Sequence, residues 1–217
     1  MSKTKTDNKN IELLKQIAQL RDHIDIHRII GLNVAALRER DISGAFLGYL
    51  QKSAQESLAI YICKIFEASN QNVLNSIPGI IEALPLMSLS DEQKRSFGSF
   101  GKMHRNHSDP TEAKAYLKAT FEIFCKVHSE PLSRLKEFRD TIGAHSDSKA
   151  EISSLPSHAE LETLFSFAND FYQLVSRSIN NVGPALVPRD VGRGFVRLIE
   201  AMGLQKAKFD FDGENSA

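Results

Sequence analysis

Apolar residues recur every three to four positions along most of this chain, and no segment alternates apolar and polar residues as a half-buried strand would. The first run, Ile11, Leu14, Ile17, Ala18, Leu20, Ile24, Ile29 and Ile30, predicts a helix to about Arg40, with Gly31 as the place where it would break. A second run over Ser43–Ala68 places Phe46, Leu47, Leu50, Ala54, Leu58, Tyr61, Ile62, Ile65 and Phe66 on one broad face. Each amphipathic stripe needs a partner, so the natural solution is an all-α bundle.

Local signals punctuate these runs. Ser76 and Pro78 open a short helix through Leu84, and Ser90-Asp91-Glu92-Gln93 reads as the cap of a modest helix toward Phe100. Asp109-Pro110-Thr111-Glu112 reads as a helix start with Asp109 as N-cap. The long run that follows, from Leu117 to Phe138, is expected to kink or split at Pro131. Pro156, Ser157 and Glu160 introduce a helix carrying Leu161, Leu164, Phe167, Phe171 and Val175, and a terminal helix spans Asp190–Met202, stopped by Gly203. The expected organisation is a flexible tail at 1–10, a bundle of four long helices with shorter ones at 11–182, a helical extension at 183–205 and a flexible tail at 206–217.

Charge limits the choice of partners. Lys plus Arg and Asp plus Glu number 27 each, so the chain is not a strongly positive protein built to coat duplexes, although a local basic site is compatible with that balance. Cys63 and Cys125 lie inside helical patterns without metal-ligand spacing, which fits buried free thiols in a reducing cytoplasm. No apolar stretch approaches the roughly 18 residues of a membrane span, and the first ten residues resemble no export signal.

The residues that carry chemistry concentrate in LKEFRDTIGAHSD, Leu135 to Asp147. Arg139 offers a planar set of donors suited to phosphate, and His145, with an ordinary pKa near ~6.5, suits proton transfer at neutral pH. Together they could cleave RNA without a metal: the histidine takes the 2′-hydroxyl proton while the arginine holds the scissile phosphate, leaving a 2′,3′-cyclic phosphate and a 5′-hydroxyl. Six residues on an ideal helix put the two side chains about 120° apart and ~9 Å along the axis. Convergence therefore needs a looser helix near Gly143, a stretched Arg139 or a second subunit. The plain alternative is that Arg139 pairs with Asp140 or Glu137 and His145 merely ends a helix.

Further polar clusters are candidates for contacts to an RNA backbone. They are Lys102, His104, Arg105 and His107 in KMHRNHSD, then Arg177, and the four-residue series Arg189, Arg193 and Arg197. Each has a solvated surface as its simpler explanation. His23 and His27, near Asp22 and Asp25, share a helical face but lack a third ligand, so no metal is assigned. Tyr61, Tyr172 and the phenylalanines follow the packed faces and read as core.

The segment RDTIGAH resembles the arginine-polar-four-residue-histidine motif of HEPN domains. AHSD, YLQKSAQESLAIYICKIFEASN and SIPGIIEAL are similar to the branch named for abortive phage infection, AbiU2. That resemblance implies a helical bundle and a metal-independent endoribonuclease of bacterial defence or toxin–antitoxin systems, with no cofactor. It implies that Arg139 binds phosphate, His145 is catalytic and Asp140 orients the imidazole or positions its partner. It also implies a homodimer whose two motifs face each other, with an antitoxin or other defence protein as a further partner. Some relatives keep only a noncatalytic RNA-binding or protein-interaction role, which is the alternative function.

Overall fold

The apolar spacing resolves into eight helices in the computed structural model, which describes residues 5–40, 42–68, 75–144, 155–185, 187–188 and 190–203. They are α1 (Lys5–Glu39), α2 (Gly44–Phe66), α3 (Ile77–Ala83), α4 (Asp91–Met103), α5 (Ala113–Val127), α6 (Ser129–Ala144), α7 (His158–Ser178) and α8 (Asp190–Ala201). The protein is all-α: among the described residues there is no strand, only an isolated bridge between Ser88 and Glu112. No described helix is long and apolar enough to cross a membrane.

α1, at 35 residues, is the spine. It packs along α2 and α7, while α6 lies on α2, α4 on α7, and α3 against α1 and α5. The main core takes Leu13, Ile17, Leu20 and Ile24 from α1, Leu58, Ile62 and Ile65 from α2, and Leu164, Phe167 and Phe171 from α7, all fully buried. Phe167 stacks on Phe124 at 3.9 Å between ring centres, and Phe66 packs against both. A second, smaller cluster forms toward the other end of α1, where Ile29, Leu37 and Leu47 meet Ile199 of α8.

The core also contains charge. Arg21, 3% exposed, forms a two-pronged pair with Glu162 of α7 at 2.7 Å on each side and meets Asp25, one turn on, at 2.6 Å. His158 approaches the same Glu162 at 3.2 Å. Burial raises the Glu162 pKa, but the bonds from His158 and Arg21 outweigh it and bring the carboxyl down to about 2.

Local capping decides most boundaries. Ser76 caps α3 through Gly79 N–H, and Ser90–Gln93 and Ser157–Glu160 each close a reciprocal box. α5 departs from expectation, because Glu112 rather than Asp109 is its N-cap, accepting from the N–H groups of Lys114 and Ala115. Leu89 N–H donates to Thr111 O, and Ala113 N–H to Met87 O, so 111–112 stays extended and the helix starts later. The run through Pro131 is indeed split: α5 ends at His128, and Pro131 sits in the first turn of α6, where its missing N–H is harmless.

Three further expectations change. The first ten residues were expected to be a tail, yet the helix is already formed at Lys5 and Asn10 is buried, donating to Ser176 Oγ at 2.8 Å. α1 runs unbroken through Gly31, where Asn33 donates its side-chain amide to Ile29 O. Phe46 is 51% exposed, because Leu47 takes the inward position and a neighbour on a helix points about 100° away. Residues 204–217, including the expected tail from 206, lie outside the described residues.

Candidate functional site

On α6, Leu135 and Phe138 are buried against the core, and this fixes the adjacent Arg139 at the edge of the packed face. α2 ends beside it, where Glu67 leaves helical geometry as the C-cap. The Arg139 guanidinium donates through Nη1 to Glu67 Oε2, and through Nη2 and Nε to Asp140 Oδ1 at 2.8 and 3.0 Å. Burial works against its charge, but the bonds from Glu67 and Asp140 prevail, and its pKa lies above the ordinary arginine value. The result is a permanent cation with fixed direction, its side chain still 28% exposed. α6 stays helical through Gly143 to Ala144, so the described part of the motif shows no loosening. His145 lies outside the described residues.

A cleft of about 320 Å³ opens beside this pair, between α2, α5 and α6. Ile62, Phe66 and Leu132 supply apolar wall, while Glu67 and Lys136 bring the only charges to its lining among the described residues. Cys63 and Cys125 both face it. Burial pushes the Cys63 thiol up to about 11, with Arg139 opposing, and the Cys125 thiol up to about 12. Both are therefore protonated at neutral pH and act as wall, not as nucleophiles.

A second, larger cleft of about 690 Å³ runs along α4 and the 106–111 loop. Lys94, Arg95, Lys102 and His107 line it, with Asp109 as a carboxylate among them. Asn106, 3% exposed, ties the loop down by donating to Thr120 Oγ1 at 2.8 Å and accepting from Ser108. Arg105 is exposed and closes the turn after α4 in the left-handed conformation, at φ 66°.

A family model described as AbiU2, the HEPN_AbiU2 model, matches residues 3–191. The chain belongs to the AbiU2 family of HEPN proteins. No curated protein and no solved structure matches it. Membership of AbiU2 points to a defence-related role and covers both clefts, the Arg139 pair and the stretch through His145.

Within this AbiU2 bundle, the polar residues singled out from the sequence fall into separate groups. Lys102 and His107 share the α4 cleft. His104 turns inward, its ring set edge-on to Phe100, Phe124 and Phe167 and its Nε2 3.4 Å from Asp170, so it packs instead of lining the cleft. Arg177 is exposed in the last turn of α7, where Gln93 donates to Ser178 O and brings that end of α7 to the start of α4. Arg193 and Arg197 are exposed on α8, which packs near Leu47. Leu47 precedes Glu67 by twenty residues on α2, about 30 Å of helix, so this stripe lies at the opposite end from Arg139. Arg189 lies outside the described residues.

Other residues emerge only in three dimensions. Glu67 is 72 positions from Arg139, and no local pattern joins them. Lys136, three residues before Arg139, and Lys94 and Arg95, seven or eight before Lys102, do follow helical spacing and could have been read from it. His23 stacks on Tyr61 and His27 meets Gln55 at 3.2 Å, so both rings are engaged in packing. Among the described residues no group of three His, Cys, Asp or Glu is placed to hold a metal ion.

Proposed function

We propose that this AbiU2-family protein is a metal-independent endoribonuclease of a bacterial defence or toxin–antitoxin system. The observation that carries the reading is the fixed Arg139 guanidinium on the helix that leads into His145, anchored by Glu67, which also lines a cleft. An arginine has five donors, so the anchored group keeps some for the non-bridging oxygens of a phosphate. His145 takes the proton of the 2′-hydroxyl, the 2′-oxygen bonds to phosphorus, and the bond to the 5′-oxygen breaks as that oxygen gains a proton. The products are a 2′,3′-cyclic phosphate and a 5′-hydroxyl. Lys94, Arg95, Lys102 and His107 give the flanking RNA backbone an electrostatic track. Two copies of the motif facing each other in a homodimer supply the second imidazole that the leaving group needs.

One observation favours a noncatalytic reading. Glu67 and Asp140 already neutralise Arg139 within the chain, which suits an RNA-binding or protein-interaction module that never receives a scissile phosphate. Incubating the full chain with labelled RNA in excess chelator separates the two. Cleavage with cyclic-phosphate ends, lost in Arg139→Ala and His145→Ala at unchanged circular dichroism and mass, supports the nuclease. Salt-dependent binding without cleavage supports the module.

A further inference from the structure

We infer that the cleft between α2, α5 and α6 is a nucleobase pocket, which takes the base of the nucleotide whose 3′-phosphate lies on Arg139. This rests on the reading of Arg139 as a phosphate ligand and adds to it the part of the substrate that is selected. Glu67 joins the two halves: it lines the cleft and accepts the bond from Arg139, so a wall of one is the anchor of the other. Lys136 is exposed and also lines the cleft, three residues before Arg139 and about 4.5 Å from it along α6, and this puts two cations at the phosphate side.

The walls have the character a base requires. Phe66 is held in place by Phe121, Phe124 and Phe167, and offers a rigid face along with Ile62 and Leu132. The protonated thiols of Cys63 and Cys125 add apolar surface without charge. At about 320 Å³ the cleft stands at the small end of ligand pockets, commonly ~300–1,000 Å³, and so accommodates one base and not a stacked pair. The bond to Arg139 uses one acceptor site of Glu67 Oε2, which leaves Oε1 and the second site of Oε2 for two N–H groups on the edge of a base. Guanine, which presents a ring N–H beside an exocyclic amine, meets such a carboxylate best, and uracil, with one N–H between two carbonyls, meets it worst.

The test is calorimetric titration of the full chain with the four nucleoside 3′-monophosphates and with inorganic phosphate, run beside the labelled-RNA assay. Ser129 and Ser133 are exposed at the cleft, so Ser129→Phe and Ser133→Phe each fill it from outside the core, with circular dichroism checking the fold. Guanosine 3′-monophosphate is expected to bind about tenfold more tightly than the uridine compound, and to lose about that factor in the filled variants while inorganic phosphate is unaffected. Equal affinity for all four nucleotides, or equal affinity in wild type and both filled variants, overturns the pocket. RNA cleavage accompanied by either of those results ends the pocket and keeps the nuclease. Base-dependent binding without any cleavage keeps the pocket and ends the nuclease.

Discussion

Glu67, the last residue of the α2 cap, accepts a hydrogen bond from Arg139 of α6, 72 positions later in the chain. The pair aims the guanidinium and adds little to the fold, since both side chains are partly exposed and such pairs contribute about 0–1 kcal/mol. Glu67→Ala is therefore expected to leave the thermal midpoint nearly unchanged and, on the proposed nuclease function, to lower RNA cleavage about 10- to 100-fold through misplacement of the guanidinium. Initial rates on labelled RNA, set beside a melting curve, check this. Wild-type rates in Glu67→Ala would remove the anchor from the mechanism.

The Arg21 cluster behaves oppositely. Arg21 and Asp25 are almost wholly buried, so Arg21→Met strands carboxylates in the core and is expected to destabilise the chain by about 3–5 kcal/mol. Urea denaturation of the purified variant measures it.

Two carboxyls predict a pH profile with opposing limbs. Glu162, brought down to about 2 from its usual 4.5, stabilises the fold above about pH 4.5, and that contribution is lost as pH falls toward 2. Asp22 is raised from 3.8 to about 6, by burial first and then by Asp25. There the folded state binds the extra proton, so stability declines as pH rises from about 4 to 6. Asp22→Asn should accordingly raise the melting temperature at pH 7.5 and leave it almost unchanged at pH 3.5. A variant that melts with the wild type at both values would refute the assignment.

Glycines in α4 separate packing from propensity. A Cβ on Gly101 would lie 1.9 Å from Tyr116 Oη and 2.9 Å from Asn106 O, whereas one on Gly98 would find only Pro110, at 3.9 Å. Gly101→Ala is expected to cost about 1–3 kcal/mol through overpacking. Gly98→Ala should be neutral, or stabilise by up to about 1 kcal/mol through helix propensity. Paired denaturation curves decide it.

The helices were legible because each buried face repeats at the helical period, and the caps at Ser76, Ser90 and Ser157 because each bonds within three residues of itself. The start of α5 was not, because the bridge to 87–89 that keeps Thr111 and Glu112 extended comes from a distant segment. The same physics governs the site. Arg139 and Asp140 are neighbours whose pairing the sequence allows, whereas Glu67 reaches them only through the packing of α6 on α2. Nothing beside His104 in the chain says that its ring faces inward, because Phe124 and Phe167 arrive from two other helices.

The length of α1 has a mechanical consequence. Ile24 sits in one apolar cluster and Ile29 in the other, five residues apart on a single unbroken rod. One hydrogen-bonded helix thus ties the packing around α8 to the packing around α7, so the two apolar clusters share a common beam instead of meeting across a loop.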